Sequence, residues 1–251
     1  IAGGALLALF VLWQTRTAAP LIPLRLFRDR SFTVTNIAGF GFSFGTFGAI
    51  FLLIQYMQVV LGATPWEAAV RTTPWTLAPM IVAPLAGFIA PRVGTRILMV
   101  TGLVLEAIAL LWIAAIMDLD TSYASMVPSF IIAGVGMGLI FAPSATALLA
   151  TLGIVDHAKA SGVNATVREI GLALGTAVLT AIFLGAGGEL LPDLYVEAAR
   201  PAILVGGLVL VATAVIALWL PAGRGTPASV SPDLDGSAAA DFDPVGAGVD
   251  R

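Results

Sequence analysis

The chain has 251 residues, of which 59% are hydrophobic and 11% charged, with a formal net charge of −3 and a mean hydropathy of +0.99. Soluble domains carry about 45–50% apolar and about 25% charged residues, so this chain lacks the charge to cover a water-facing surface, and its balance offers nothing to nucleic acid. The absence of cysteine excludes disulfide frameworks, thiolate zinc sites and thiol nucleophiles.

The chain opens inside an apolar run, 1–13, which is shorter than the roughly 20 residues a spanning helix needs. The run lacks the positive start and small-residue cleavage site of a signal peptide. We read 1–15 as the remainder of a transmembrane helix and expect the chain to be a fragment. A basic connector, 16–31, follows, with Arg16, Arg25, Arg28 and Arg30.

Six further apolar segments run over 32–61, 68–90, 95–117, 123–150, 160–185 and 201–220. Each can cross a hydrocarbon core of about 30 Å at about 1.5 Å per residue. None alternates apolar and polar residues with period two, as a barrel wall must. A helix pairs all its backbone groups within one segment, which lipid requires. The expected fold is therefore an all-α transmembrane helix bundle, with a six-helix domain over 32–220. The tail, 221–251, is rich in Pro, Gly, Ala, Ser and Asp, and is expected to be disordered.

Charge in the connectors orients the bundle. One side holds Arg16, Arg25, Arg28, Arg30, Arg92, Arg96 and Lys159, with Arg224 opening the tail. The other holds Arg71 and Arg200 among Glu67, Asp118, Asp120, Glu189, Asp193 and Glu197. The first side is expected to be cytoplasmic, and the C-terminus with it. Six helices divide as three plus three, as an inverted repeat would.

Glycine and proline concentrate inside the segments. Gly39, Gly41, Gly45 and Gly48 lie in the first, Pro74, Pro79 and Pro84 in the second, and Gly134, Gly136, Gly138 and Pro143 in the fourth. They serve either close helix packing or bending around a central cavity lined by the first and fourth helices. Glu106 lies near the middle of the third segment. A charge there costs about 2.5–3.5 kcal/mol on insertion scales, so this acid needs a partner, a wet cavity or a proton. It is a candidate protonatable site or a structural acid.

Arg168 and Glu169 sit about two turns into the fifth segment, and Asn164 shares the face of Arg168 by i,i+4 spacing. Arg168 pairs with an acid on another helix or reaches back to the interface. Glu169 faces a cavity or the cytoplasmic vestibule. Asn36, Gln55 and Gln58 are amides near the ends of the first segment, where water can reach them. Phe40, Phe44 and Phe47 recur at helical spacing, either as packing or as aromatic faces for a cation. His157 is the only histidine and is expected in a solvated connector, 152–159, so no metal site is expected. No phosphate-binding glycine loop and no hydrolase motif occurs.

Three stretches carry a family resemblance. Pro20-Leu-Ile-Pro-Leu-Arg-Leu-Phe-Arg-Asp-Arg-Ser-Phe32 resembles the cytoplasmic connector before the C-terminal six-helix domain of the fourteen-helix drug:proton antiporters of the major facilitator superfamily. Gly87-Phe-Ile-Ala-Pro-Arg-Val-Gly-Thr-Arg96 is similar to the superfamily's repeated loop motif, Gly-x3-Asp-Arg-x-Gly-Arg/Lys-Arg/Lys. Ser161-Gly-Val-Asn-Ala-Thr-Val-Arg-Glu-Ile-Gly-Leu-Ala-Leu-Gly-Thr-Ala177 resembles the Gly-rich penultimate helix. Pro91 stands in place of the loop motif's Asp, Thr95 in place of a basic residue, and Glu169 in place of a Gln.

The resemblance implies a secondary transporter that exports lipophilic small molecules across the cytoplasmic membrane by alternating access, driven by a proton gradient and without a cofactor. Its partners would be the lipid bilayer, a small-molecule substrate and a missing N-terminal half of the same transporter, which holds the family's usual proton-coupling residues. Within this chain, Glu106, Asn36, Phe40, Phe44, Gln55, Arg168 and Glu169 are the expected pathway residues. Gly87, Arg92, Gly94 and Arg96 are the expected gate loop. A narrow-substrate exporter of a metabolite or antibiotic, a non-transporting membrane subunit and a membrane-embedded enzyme are the alternatives. An enzyme is disfavoured, because only Glu106, Arg168 and Glu169 are available for catalysis.

Overall fold

The structure is a computed structural model that describes residues 24–149 and 152–221. The expectations for 1–15, for 16–23 of the connector and for 222–251 of the tail lie outside the described residues. Seven α-helices follow a short 3-10 turn at Leu24–Arg28: α1 (Arg30–Val59), α2 (Pro65–Arg71), α3 (Thr73–Val93), α4 (Thr95–Ile116), α5 (Tyr123–Leu149), α6 (Ile154–Gly185) and α7 (Pro192–Ala217). Helices α2 and α3 together make one bent span, so six spans are long and apolar enough to cross a membrane.

Local chemistry sets the helix ends. Asp29 caps α1 by accepting from the Phe32 backbone N–H at 2.8 Å. Thr64 and Glu67 form a reciprocal capping box at the start of α2, with Pro65 in its first turn. The span bends at Thr72 because Pro74, in the first turn of α3, has no N–H to continue the ladder. Gly94 separates α3 from α4 at φ 94°, a backbone region that a side chain would strain. The loop motif's second glycine is thus the hinge of a helical corner, and Arg92 and Arg96 lie in the flanking helices.

Two boundaries differ from the sequence expectation. The 152–159 connector is largely helical, because α6 starts at Ile154 and carries Asp156, His157 and Lys159 in its first turns. His157 is half-buried, its Nε2 3.0 Å from the Leu152 carbonyl, rather than free in solvent. Likewise α7 starts at Pro192, nine residues before the apolar segment, with Pro192 and Asp193 in the first turn and Tyr195, Val196 and Ala199 buried. Both extensions are amphipathic, so a hydropathy window misses them while the helix continues.

The packing interlocks two units of three spans each, α1–α4 and α5–α7. Helix α1 packs chiefly on α6 and α7, and α5 packs chiefly on α3 and α4, while α4 and α7 contact each other. The first helix of each unit therefore inserts against the second and third spans of the other. The order α3, α5, α1, α6 forms a front row, and α4 and α7 lie behind it. At four of the crossings a glycine lies against backbone. At α4/α5 a Cβ on Gly102 would lie 2.6 Å from the Gly136 carbonyl oxygen, and the reverse contact is equally short. At α1/α7 the pair is Gly45 and Gly206, at α3/α5 Gly134 meets the Trp75 carbonyl, and at α1/α6 Gly171 meets that of Phe40. Without a hydrophobic drive inside lipid, such close approach supplies the packing energy.

The two ends are tied differently. At the end where α1 begins, Ser31 donates to the Ala147 carbonyl at 2.7 Å, and Arg25 pairs with Asp156 at 2.8 Å. At the other end Tyr56 donates to the Asp118 carbonyl at 2.5 Å and Tyr195 to the Leu52 carbonyl at 2.8 Å. There Arg200 donates to the Met117 carbonyl, at the C-terminus of α4 where the helix dipole favours a cation.

Candidate functional site

Helix α1 is buried on every side but one. Between residues 33 and 59 its incompletely buried positions are Thr33, Ile37, Phe40, Phe44, Phe47, Ile50, Phe51, Ile54, Gln55, Gln58 and Val59. On a 3.6-residue helix most of these fall on one stripe. Phe40 and Phe44 have ring centroids 6.1 Å apart, and Phe51 borders a shallow groove with Leu172, Thr176 and Thr180 of α6. Gln55 and Gln58 end the stripe, half-buried rather than fully hydrated, with Gln58 donating to the Ile54 carbonyl at 3.3 Å. An aromatic surface with amides at one end is thus left open along the middle of the front row.

Asn36 does not belong to that stripe. It is buried, donating to the Phe32 carbonyl at 2.8 Å and accepting from Asn164 of α6 at 3.3 Å. Its role is to tie α1 to α6 and orient Asn164. Arg168, one turn further along α6, is half-buried and stands over the Phe141 ring of α5 at 4.2 Å. A Cβ on Gly39 would lie 3.2 Å from Arg168 Cγ, so the glycine gives the arginine stem its seat. Asn164, Arg168, Phe141 and Ser144 line a cavity of about 260 Å3 between α5 and α6. Glu169 points elsewhere and is exposed, one turn before Ala173, which borders the groove beside Phe51.

Glu106 is fully buried and lies behind this surface. It is set between Thr46 of α1, whose hydroxyl is 3.4 Å from Oε2, and Gly136 of α5, where a Cβ would lie 3.0 Å from Glu106 Cγ. Its Oε1 has no hydrogen-bond partner among the described residues, and neither has the Nε1 of buried Trp75 in α3. No basic side chain pairs with it among the described residues. An acid so placed lies where three helices meet.

The loop-motif residues sit at the α3/α4 corner, away from Arg168. Gly87 and Arg92 are exposed, Arg92 lying 5.5 Å over the Phe88 ring. Gly94 is buried, and Arg96 borders a cavity of about 680 Å3 with Val93, Ile97, Val100, Thr101 and Leu218. Neither arginine has an acidic partner among the described residues, in keeping with proline at position 91. Among the described residues no cluster of His, Cys, Asp or Glu could hold a metal ion.

The sequence reading paired Asn164 with Arg168 by spacing but missed Phe141, Ser144, Thr46 and Trp75. Nothing local marks these four, because their positions are set by which helices cross.

Comparison with known proteins gives a consistent result. Residues 35–241 match the Major Facilitator Superfamily. The chain is 34% identical over 176 residues to a multidrug efflux pump of Mycolicibacterium smegmatis, covering 70% of this chain and 35% of that protein. It is 32% identical over 185 residues to a multidrug resistance protein B homologue of Mycobacterium tuberculosis, covering 72% and 34%. It is 27% identical over 194 residues to the tetracenomycin C resistance and export protein of Streptomyces glaucescens, covering 77% and 36%. The chain spans about a third of the length of these relatives.

Proposed function

The chain belongs to the major facilitator superfamily and is a multi-pass membrane protein, and from this we propose that it forms one six-helix half of a drug exporter. Such transporters work by rocking two helix bundles about a site near the bilayer midplane. The second half would close over the front row α3, α5, α1, α6, in the cytoplasmic membrane and with the C-terminus inside. The cargo class is lipophilic small molecules, and the drive is proton antiport. The relatives' names support drug export, and the observation that carries the reading here is the open stripe of Phe40, Phe44, Phe51 and Gln55 on an otherwise buried helix. Aromatic faces of this kind bind flat apolar compounds and cations without fixed hydrogen-bond geometry.

Each residue has a role in this reading. The phenylalanines and Gln55 contact cargo, with Glu169 at the edge of the groove. Asn36 holds the α1/α6 junction. Glu106 carries a proton at the junction of α1, α3, α4 and α5, and Gly94 with Arg92 and Arg96 forms the cytoplasmic corner that moves. The test uses the full-length transporter in inverted vesicles with a proton gradient, following ethidium and internal pH together. Dye accumulation that dissipates the gradient is expected. Dye movement without proton movement would remove antiport, and no dye movement would favour a narrow-substrate exporter.

A further inference from the structure

Arg168 is a guanidinium with its face occupied and its edge free. It stacks at 4.2 Å on Phe141 and its stem is seated over Gly39. It makes no ion pair among the described residues, although it is half-buried and borders a cavity. Stacking on an aromatic ring uses the π-face of the guanidinium and leaves the in-plane N–H groups available. Those groups form a planar fork that matches the two oxygens of a carboxylate. The neighbouring polar groups are already engaged: Asn164 donates to Asn36 at 3.3 Å, and the Ser144 hydroxyl donates to the Phe141 carbonyl at 2.8 Å.

We propose that Arg168 on Phe141 is a recognition site for a carboxylate carried by the cargo, so that the transporter takes amphiphilic organic acids as well as cations. The proposal rests on the export reading above and extends its substrate class. The adjoining cavity of about 260 Å3 lies just under the about 300 Å3 lower bound of small-molecule pockets. It therefore accommodates the head of a ligand, and the apolar body extends over Leu148, Leu149 and Ala165 of the same lining. In a site partly withdrawn from water, the attraction between one guanidinium and one carboxylate exceeds its value on an open surface.

The test compares 1-pyrenebutyrate with 1-pyrenebutanol, two probes that share a flat apolar body and differ in the carboxylate. Binding to the purified full-length transporter is followed by pyrene fluorescence. A charge-assisted pair predicts about ten-fold tighter binding of the acid than of the alcohol. Arg168→Gln should bring that ratio to near one, and Arg168→Lys, which keeps the charge but loses the planar fork, should retain part of it. Phe141→Ala should also lower the ratio by freeing the guanidinium. An unchanged ratio in Arg168→Gln overturns the proposal. So does a parallel fall for both probes, which would assign Arg168 to an acid elsewhere in the protein. Ethidium transport separates this from the export reading: a wild type that moves ethidium but shows no preference for the acid sinks the carboxylate site alone, and one that moves none of the three sinks both.

Discussion

Gly102 of α4 and Gly136 of α5 face each other backbone to backbone, each position where a Cβ would fall lying 2.6 Å from the other's carbonyl oxygen. Real Cβ atoms do not approach that closely, so a side chain at either position must push the helices apart. The contact also lies one turn from Glu106 on α4, so the fit of α4 against α5 sets the chamber that holds the acid. Gly136→Val should lower stability by about 3 kcal/mol or more, the upper range for overpacking a rigid site. Gly162→Ala is the control: nothing lies within 4 Å of its Cβ position, and replacing an exposed helical glycine should raise stability by up to about 1 kcal/mol. Thermal midpoints of the detergent-solubilised protein would order the variants. Equal midpoints for the wild type and Gly136→Val would show that the crossing is looser than the distances say.

Tyr195 is fully buried and donates to the Leu52 carbonyl at 2.8 Å, its ring 4.8 Å from that of Phe183. Tyr195→Phe keeps the ring and removes one hydrogen bond, so the expected loss is about 1 kcal/mol. Tyr195→Ala also removes the ring and should cost about 3–5 kcal/mol. Comparing the two by thermal unfolding separates the hydroxyl from the packing, and a larger loss for Phe than for Ala would contradict the assignment.

The Arg25–Asp156 pair looks stronger than it should be. Both Asp156 oxygens are within 2.9 Å of one arginine nitrogen, yet the Arg25 side chain is 67% exposed. Exposed pairs contribute about 0–1 kcal/mol, so Asp156→Asn should shift the thermal midpoint very little. The same measurement in high salt should show almost no further change, because there is little left to screen. A fall comparable to Gly136→Val would mean that this pair, and not helix packing, holds this end of the bundle.

Much of the fold was legible because lipid imposes a simple code. Apolar stretches of sufficient length locate the six spans. The helix starts at Ile154 and Pro192 were not legible, since Asp156, Lys159, Asp193, Glu197 and Arg200 make those turns polar. Hydropathy detects what sits in the membrane, whereas a helix continues past it. Asn36 looked peripheral because it lies near the end of α1, and its burial depends on α6 crossing at that height. The aromatic repeat at 40, 44 and 47 was visible, but whether it packs inward or stays open depends on which neighbours cover α1. Arg168 was visible as a charge, and its perch on Phe141 was not, because the two meet only through the α5/α6 junction.

Glu106 gives the sharpest discrimination between a structural acid and a proton carrier. Its carboxylate touches one hydroxyl at 3.4 Å and leaves Oε1 unpartnered beside a buried indole. Glu106→Gln keeps the volume and can still accept from Thr46, so a purely structural acid would tolerate it in folding and in transport. A proton carrier would tolerate it only in folding, because an amide cannot release a proton in this range. The expected outcome is a thermal midpoint close to wild type together with loss of gradient dissipation during ethidium movement in inverted vesicles. Thr46→Val removes a hydroxyl bonded at long range and should cost under about 1 kcal/mol, with coupling largely kept. If Glu106→Gln exchanges dye for protons at the wild-type rate, the acid is an anchor for α1, α3 and α5, and proton coupling lies outside this residue.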